Sequence, residues 1–175
     1  MSEAGPTGVR ELVLRARGGD RTAFGELVRR YEAAVFRLAL RITGRRADAE
    51  DAGQEAFLRA WQALGRFDPG RPFGPWLLKI AANRALTAVE RRRAGAGLEE
   101  AAEVAEDERD AEAGDRLRTA MSSLAPLDRA ILSLRYEDGL SVAQVAETLD
   151  ILEGAAKVRL FRARERLMGL LEATA

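Results

Sequence analysis

Residues 139–149 read Gly139-Leu-Ser-Val-Ala-Gln-Val-Ala-Glu-Thr-Leu149, followed by the short turn Asp150-Ile151-Leu152 and a basic run from Glu153 onward. Ser141 and Gln144 stand three apart ahead of an apolar run. A serine hydroxyl there accepts the N–H of the third helical residue, while the glutamine reaches back to the serine N–H. That pattern opens a helix over Val142 to Leu149, and a second helix is predicted from Glu153 to Leu171. Two helices joined by about three residues have the spacing of a helix-turn-helix. Lys157, Arg159, Arg162, Arg164 and Arg166 give the second helix a basic surface. Such a helix can lie in a major groove with its first turns on base edges and later cations on phosphates. A solvated basic face accounts for the same residues without DNA.

Upstream, Leu117 to Leu124 and Pro126 to Tyr136 continue the three- and four-residue apolar spacing, with Pro126 at a helix start and Asp138-Gly139 as a stop. Residues 94–115 differ. They hold no aromatic residue and are mostly Ala, Glu and Asp, too little apolar surface to offset the entropy of ordering, so they predict a disordered or loosely helical linker. Before them, four helices are predicted. The first spans Val9 to Ala16 and closes at Gly18-Gly19. The second is capped by Asp20 or Thr22, buries Leu27, Tyr31, Val35, Leu38 and Ile42, and ends at Gly44. The third takes Asp48 as its cap, carries Ala52, Ala56, Leu58, Trp61 and Leu64 on its apolar face, and stops at Gly65. A Pro/Gly-rich loop, Arg66 to Pro72, leads into a fourth from Phe73 to Arg93. Nothing alternates with period two for the length of a strand. The fold class is therefore all-α: two small helical domains, residues 1–93 and 116–175, joined by an acidic linker at 94–115.

Composition narrows the chemistry. The 175 residues contain no histidine and no cysteine, which excludes Ser-His and Cys-His catalysis, thiolate metal sites and disulfides. No enzyme activity, metal or cofactor is expected. The first residues hold no apolar run long enough for a signal peptide or membrane span, so a cytoplasmic protein without membrane insertion is expected. The net charge of zero conceals an uneven distribution. Residues 1–93 hold 18 basic and 11 acidic side chains, 94–115 hold 1 and 9, and 116–175 hold 9 and 8. A basic module next to an acidic strap points to a polyanion at one end and a basic surface in the middle.

Two further stretches carry candidate function. From Phe67 to Arg93, Phe67, Phe73 and Trp76 are interleaved with Arg71, Lys79, Arg84, Arg91, Arg92 and Arg93. Flat apolar faces beside a basic groove hold single strands at about 1–3 kcal/mol per stacked base. An aromatic core with solvated arginines at a helix end explains the same pattern. From Asp48 to Glu55, four acids and a glutamine open a helix. The macrodipole accounts for Asp48 and Asp51 at ~0.3–1 kcal/mol each but less well for Glu55. Gly53 costs the helix about 1 kcal/mol relative to alanine, and marks either a close approach by another chain or a tolerated defect.

The run Asp48-Ala-Glu-Asp-Ala-Gly-Gln-Glu-Ala-Phe-Leu-Arg-Ala-Trp61, with Phe73-Gly-Pro-Trp-Leu-Leu-Lys-Ile-Ala-Ala-Asn83, resembles the bacterial extracytoplasmic-function sigma factors of the sigma-70 family. Gly139 to Leu149 and Arg162-Ala-Arg-Glu-Arg-Leu167 resemble the fourth region of the same family. The resemblance implies a factor that binds core RNA polymerase and directs transcription from promoters with minus-ten and minus-35 elements. It implies docking on the polymerase clamp helices through Asp48, Glu50, Asp51, Gln54, Glu55, Arg59 and Trp61. It implies minus-ten recognition and melting through Phe67, Phe73, Trp76, Lys79, Asn83, Arg84 and Arg91, with Phe67 and Asn83 where a flipped base is captured. Minus-35 reading would fall to Glu153, Ala155, Ala156, Lys157, Arg159 and Arg162, beside the polymerase flap. Leu152, Ala155-Ala156 and Val158 replace residues that commonly carry hydroxyls, implying a weakened or altered minus-35 preference. The acidic linker would thread the RNA-exit channel, and an anti-sigma factor is an expected partner. Two rival classes remain at this level: a dimeric helix-turn-helix regulator needing only the second domain, and a helical adaptor that binds protein alone.

Overall fold

The computed structural model describes residues 8–95 and 113–173. The acidic segment at 96–112, and with it the expectation for most of the linker, lies outside them. Every regular element described is helical: α1 (Val9–Arg17), α2 (Arg21–Thr43), α3 (Arg46–Ala63), a single 3-10 turn (Leu64–Arg66), α4 (Phe73–Gly95), α5 (Ala113–Ser122), α6 (Pro126–Tyr136), α7 (Val142–Leu149) and α8 (Glu153–Ala173). The all-α expectation and the order of helices hold.

Local chemistry sets most of the boundaries. Asp20 caps α2, its carboxylate accepting the Ala23 N–H at 3.0 Å. Arg15 grips the same carboxylate at 2.7 Å, and these two bonds hold the Asp20 carboxyl below the ordinary aspartate range. Ser141 and Gln144 form both halves of the capping box, at 3.2 and 2.8 Å. Asp150 ends α7 in the left-handed conformation at φ 56°, a region that Asp enters more readily than most residues. Some boundaries differ from expectation: α4 runs to Gly95 and α5 begins at Ala113, both inside the stretch expected to be linker, and the start of α3 is also shifted. Helix α3 begins at Arg46 with Arg45 in the cap position, so Asp48 sits inside the first turn. Its carboxylate is taken up by Arg92 of α4, and the cap residue Arg45 makes no side-chain cap hydrogen bond of its own.

Helices α2, α3 and α4 pack against one another, with α1 laid along α2. Leu27, Leu38, Ile42, Leu64 and Leu77 are fully enclosed there, as are the alanine stripe of α3 (Ala49, Ala56, Ala60) and that of α4 (Ala81, Ala82, Ala85). Small side chains let these axes approach closely. In the second unit α6, α7 and α8 surround Ile131, Leu134, Val145 and Ala156, with α5 against α8. The units also touch: α6 packs on α2 and α7 on α4, and their buried residues form one contiguous cluster. No described helix is long and apolar enough to cross a membrane.

Candidate nucleic-acid interface

The loop before α4 is shaped by its own side chains. The Asp68 carboxylate accepts the Gly70 N–H at 2.8 Å and its carbonyl accepts the Arg71 N–H at 3.0 Å, folding 68–71 into a tight turn. This turn carries Phe67 inward. Its ring lies 4.6 Å from Trp76 and 5.8 Å edge-on from Phe73, while Tyr31 meets Phe73 at 5.4 Å. Burial raises the Tyr31 phenol above its usual pKa, opposed by the neighbouring Arg30 charge.

The expectation that Phe67 and Phe73 present flat faces outward needs correcting: both are buried, at 5% and 4% exposure, because they fill the space between α2 and α4. Trp76 and Tyr31 are the half-buried rings of the cluster. A shallow groove beside it is lined by Tyr31, Phe67, Pro69, Arg71 and Phe73 together with residues of α1. Arg71 and Lys79 border this face, and Asn83 lies one turn further along α4, half-buried. Arg84 and Arg92, read from sequence as groove cations, turn the other way. Arg84 reaches Glu55 at 3.4 Å, and Arg92 pairs with Asp48 and donates to the Thr43 carbonyl at 3.0 Å. They tie α4 to α3 and to the end of α2. Arg91 remains exposed.

On α3 the candidate docking residues divide in the same way. Asp48 and Glu55 join the α3–α4 ties, and hydrogen bonding from Arg59 holds the Glu55 carboxyl below its usual range against a small opposing effect of burial. Trp61 meets Phe24 at 4.9 Å with the ring planes tilted by 58°, and is half-buried. The outward face keeps Glu50, Asp51, Gln54 and Arg59, with Leu58 among them at 57% exposure. Leu58 was read from sequence as core. A large apolar side chain amid acids was the available signal, and the three- and four-residue spacing hid it.

On α8 the buried side is Ala156 and Ala163. Ala156, expected among the base-reading residues, is fully enclosed because it seats α8 in the second domain's core. Glu153, Ala155, Lys157 and Arg162 stay on the exposed side, where Lys157 pairs with Glu153 at 2.7 Å. Arg159 is held by Asp128 of α6 at 2.7 Å. Val158, already singled out among the altered recognition residues, is 50% exposed, and Phe161, which sequence reasoning did not single out, shares that side at 59%. Among the described residues no cluster of side chains could hold a metal ion.

Comparison with known proteins matches Sigma-70 region 2 to residues 27–95 and Sigma-70, region 4 to residues 114–167. ECF RNA polymerase sigma factor SigW of Bacillus subtilis (strain 168) is 30% identical over 91% of this chain and 94% of its own length. The chain belongs to the ECF RNA polymerase sigma factors. These are non-enzymatic initiation factors, and this one directs promoter-specific transcription. CnrH, solved in complex with the cytosolic domain of CnrY, matches with a TM-score of 0.74 at 29% identity, over 95% of this sigma factor and 98% of that chain. An engineered region 2 of sigmaE, solved by NMR in complex with GTAAAA, matches at 38% identity with a TM-score of 0.50, over 56% of this chain and all of that one.

Proposed function

We propose a division of labour within this sigma factor. Residues 1–93 dock on core polymerase and open the minus-ten element, residues 116–175 read the minus-35 element, and the acidic stretch 94–115 occupies the polymerase's basic RNA-exit channel. The outward face of α3, with Asp51, Gln54, Leu58 and Arg59, is the docking surface. Its central apolar side chain ringed by polar ones has the composition of a protein contact.

The observation that carries the minus-ten reading is the aromatic cluster around Trp76 flanked by Arg71 and Lys79, within residues 27–95 that match Sigma-70 region 2, the region of sigmaE solved with GTAAAA. Cations along the rim follow phosphates, and an unstacked base finds the Trp76 face first. Phe67 becomes available only when the 68–72 turn shifts. Unstacking a base costs a few kcal/mol and one aromatic contact returns about 1–3, so the free factor opens promoters poorly and needs the polymerase's grip. The factor works in the cytoplasm with the polymerase, and an anti-sigma protein is a partner, by analogy with the CnrH complex.

Reconstitution with core polymerase and a promoter library tests this. Promoter-specific transcripts are expected, with Asp51→Ala losing polymerase affinity and Asn83→Ala losing open complexes while keeping polymerase. Specific DNA binding by a free dimer, independent of polymerase, would favour a regulator instead. Polymerase binding without initiation on any promoter would favour an adaptor.

A further inference from the structure

The first turns of α8 spend most of their charge within the second domain. Lys157 is paired with Glu153 at 2.7 Å, and Arg159 with Asp128 of α6 at 2.7 Å. What lies between these pairs is apolar. Ile151, Gly154, Ala155 and Val158 line an open groove along the start of α8, with Arg162 and Arg166 further down the same groove. Those four positions follow the spacing i, i+3, i+4 and i+7, the diamond that receives an apolar side chain when two helices pack in a coiled coil. Ile151 is half-buried, whereas Ala155 is exposed and Val158 is 50% exposed. The fourth corner, Gly154, has no side chain, and a Cβ placed there would meet nothing within 4 Å. The diamond is therefore a recess with apolar walls and one empty corner.

The cations beside it decide what fills it. Arg162 and Arg166 are exposed and make no ion pair among the described residues, which suits a polyanion and opposes a second copy of this basic helix. At the base edges of a DNA major groove one methyl group is on offer, the thymine C5-methyl. Residues 155 and 158 stand ~4.5 Å apart along the helix axis, against about 3.4 Å between stacked bases of one strand, so the recess spans little more than one base step. Cytosine in the same place lacks the methyl and turns an amino donor toward Val158, where it finds no acceptor.

We propose that the second domain reads its minus-35 element in part by apolar contact, the recess of Ile151, Gly154, Ala155 and Val158 receiving the C5-methyl of a single thymine. The inference deepens the minus-35 reading of residues 116–175 and rests on it. Selectivity at that base comes from removing a methyl group from water rather than from a hydrogen bond, while Arg162 and Arg166 hold the flanking phosphates.

The test uses holoenzyme reconstituted from core polymerase and the full chain. A minus-35 element is first selected from a duplex library, and each thymine on either strand is then replaced singly by deoxyuridine, which deletes the methyl and keeps every hydrogen-bonding atom. At one position this is expected to weaken holoenzyme binding about 3- to 5-fold, the worth of one buried methyl, and elsewhere to change it by less than about 1.5-fold. Val158→Ser and Gly154→Ala are each expected to abolish that penalty, the first by putting a hydroxyl in the wall and the second by filling the empty corner. Gly154→Ala also favours helix, so thermal unfolding should show a fold at least as stable as wild type. Glu165→Gln, on α8 but outside the groove, should keep the penalty in full. A selected element without thymine, no deoxyuridine penalty at any thymine, or a penalty that persists in folded Val158→Ser would each overturn the proposal. So would weakened core-polymerase binding in Val158→Ser with the penalty unchanged, which marks the recess as a protein contact. A holoenzyme that selects no minus-35 element at all would instead remove the reading on which the inference rests.

Discussion

Two helical glycines of domain one are expected to respond oppositely to the same substitution. At Gly53, in the middle of α3, an added Cβ would meet Val35 Cγ1 of α2 at 3.5 Å, an ordinary van der Waals distance. Gly53→Ala therefore fills contact space and removes a helix penalty of about 1 kcal/mol. At Gly74, in the first turn of α4, the Cβ would meet Tyr31 Cε1 at 3.1 Å, and that ring is braced edge-on against Phe73. The ring has to yield by a few tenths of an ångström. Overpacking of that kind costs about 1–3 kcal/mol, against a smaller propensity gain at a helix end. The expected result is a stability gain of ~0.5–1 kcal/mol for Gly53→Ala and a loss of ~1–2 kcal/mol for Gly74→Ala. At about 2–4 °C per kcal/mol for a chain of this size, calorimetry resolves the two signs. Urea titration gives the same difference as a shift in midpoint at constant slope. The buried position of Gly53 against its own α2 also answers a question left open by sequence, whether the glycine admits another chain. Polymerase affinity should be unchanged in Gly53→Ala. Destabilisation by Gly53→Ala, or loss of polymerase binding with stability intact, would refute this account of the α2–α3 contact.

Three further outcomes are expected. Ser141→Ala breaks the capping box and should cost ~0.5–2 kcal/mol of second-domain stability, measured by denaturation of the full chain. Burial raises the Asp138 carboxyl from 3.8 to about 6, with Arg37 opposing and Glu137, itself paired with Arg41, adding to the rise. The folded state thus binds a proton that the unfolded state releases. The resulting stabilisation is fully present below 3.8 and is lost as pH rises through about 6. Asp138→Asn should therefore gain on wild type between pH 4 and 6 by at most ~1.4 kcal/mol per pH unit; parallel stability–pH curves would refute the assignment. Leu58→Asp, at an exposed site, should change stability by less than about 0.5 kcal/mol while weakening polymerase binding at least tenfold, as read by competition for core enzyme.

Much of this fold could be read one residue at a time. Asp20, Gly44, Ser141 with Gln144, and Asp150 end or begin helices through bonds made within a few residues, so their effect is present in the local sequence. The departures share a cause. Asp48 reads as a cap, yet Arg92, 44 positions away, claims its carboxylate. Phe67 and Phe73 read as stacking faces beside cations because composition does not reveal which way a tight turn carries a ring. Leu58 reads as core because an apolar spacing of three and four allows a stripe to be rotated by one position with little change in pattern, whereas Ala156, assigned to base reading by resemblance alone, is drawn inward by the packing of α8.

Sequence alone determined the helical class, those helix ends that are set by local capping and turn chemistry, and the family of this sigma factor, since such signals act over a few residues. Tertiary structure decided which cations are spent inside the protein and which meet a partner. Arg84 and Arg92 brace α3, while Arg71 and Lys79 lie against Glu147 and Asp150, 76 and 71 positions away. Coulomb attraction depends on separation in space, and only the packing of α7 on α4 brings those charges together.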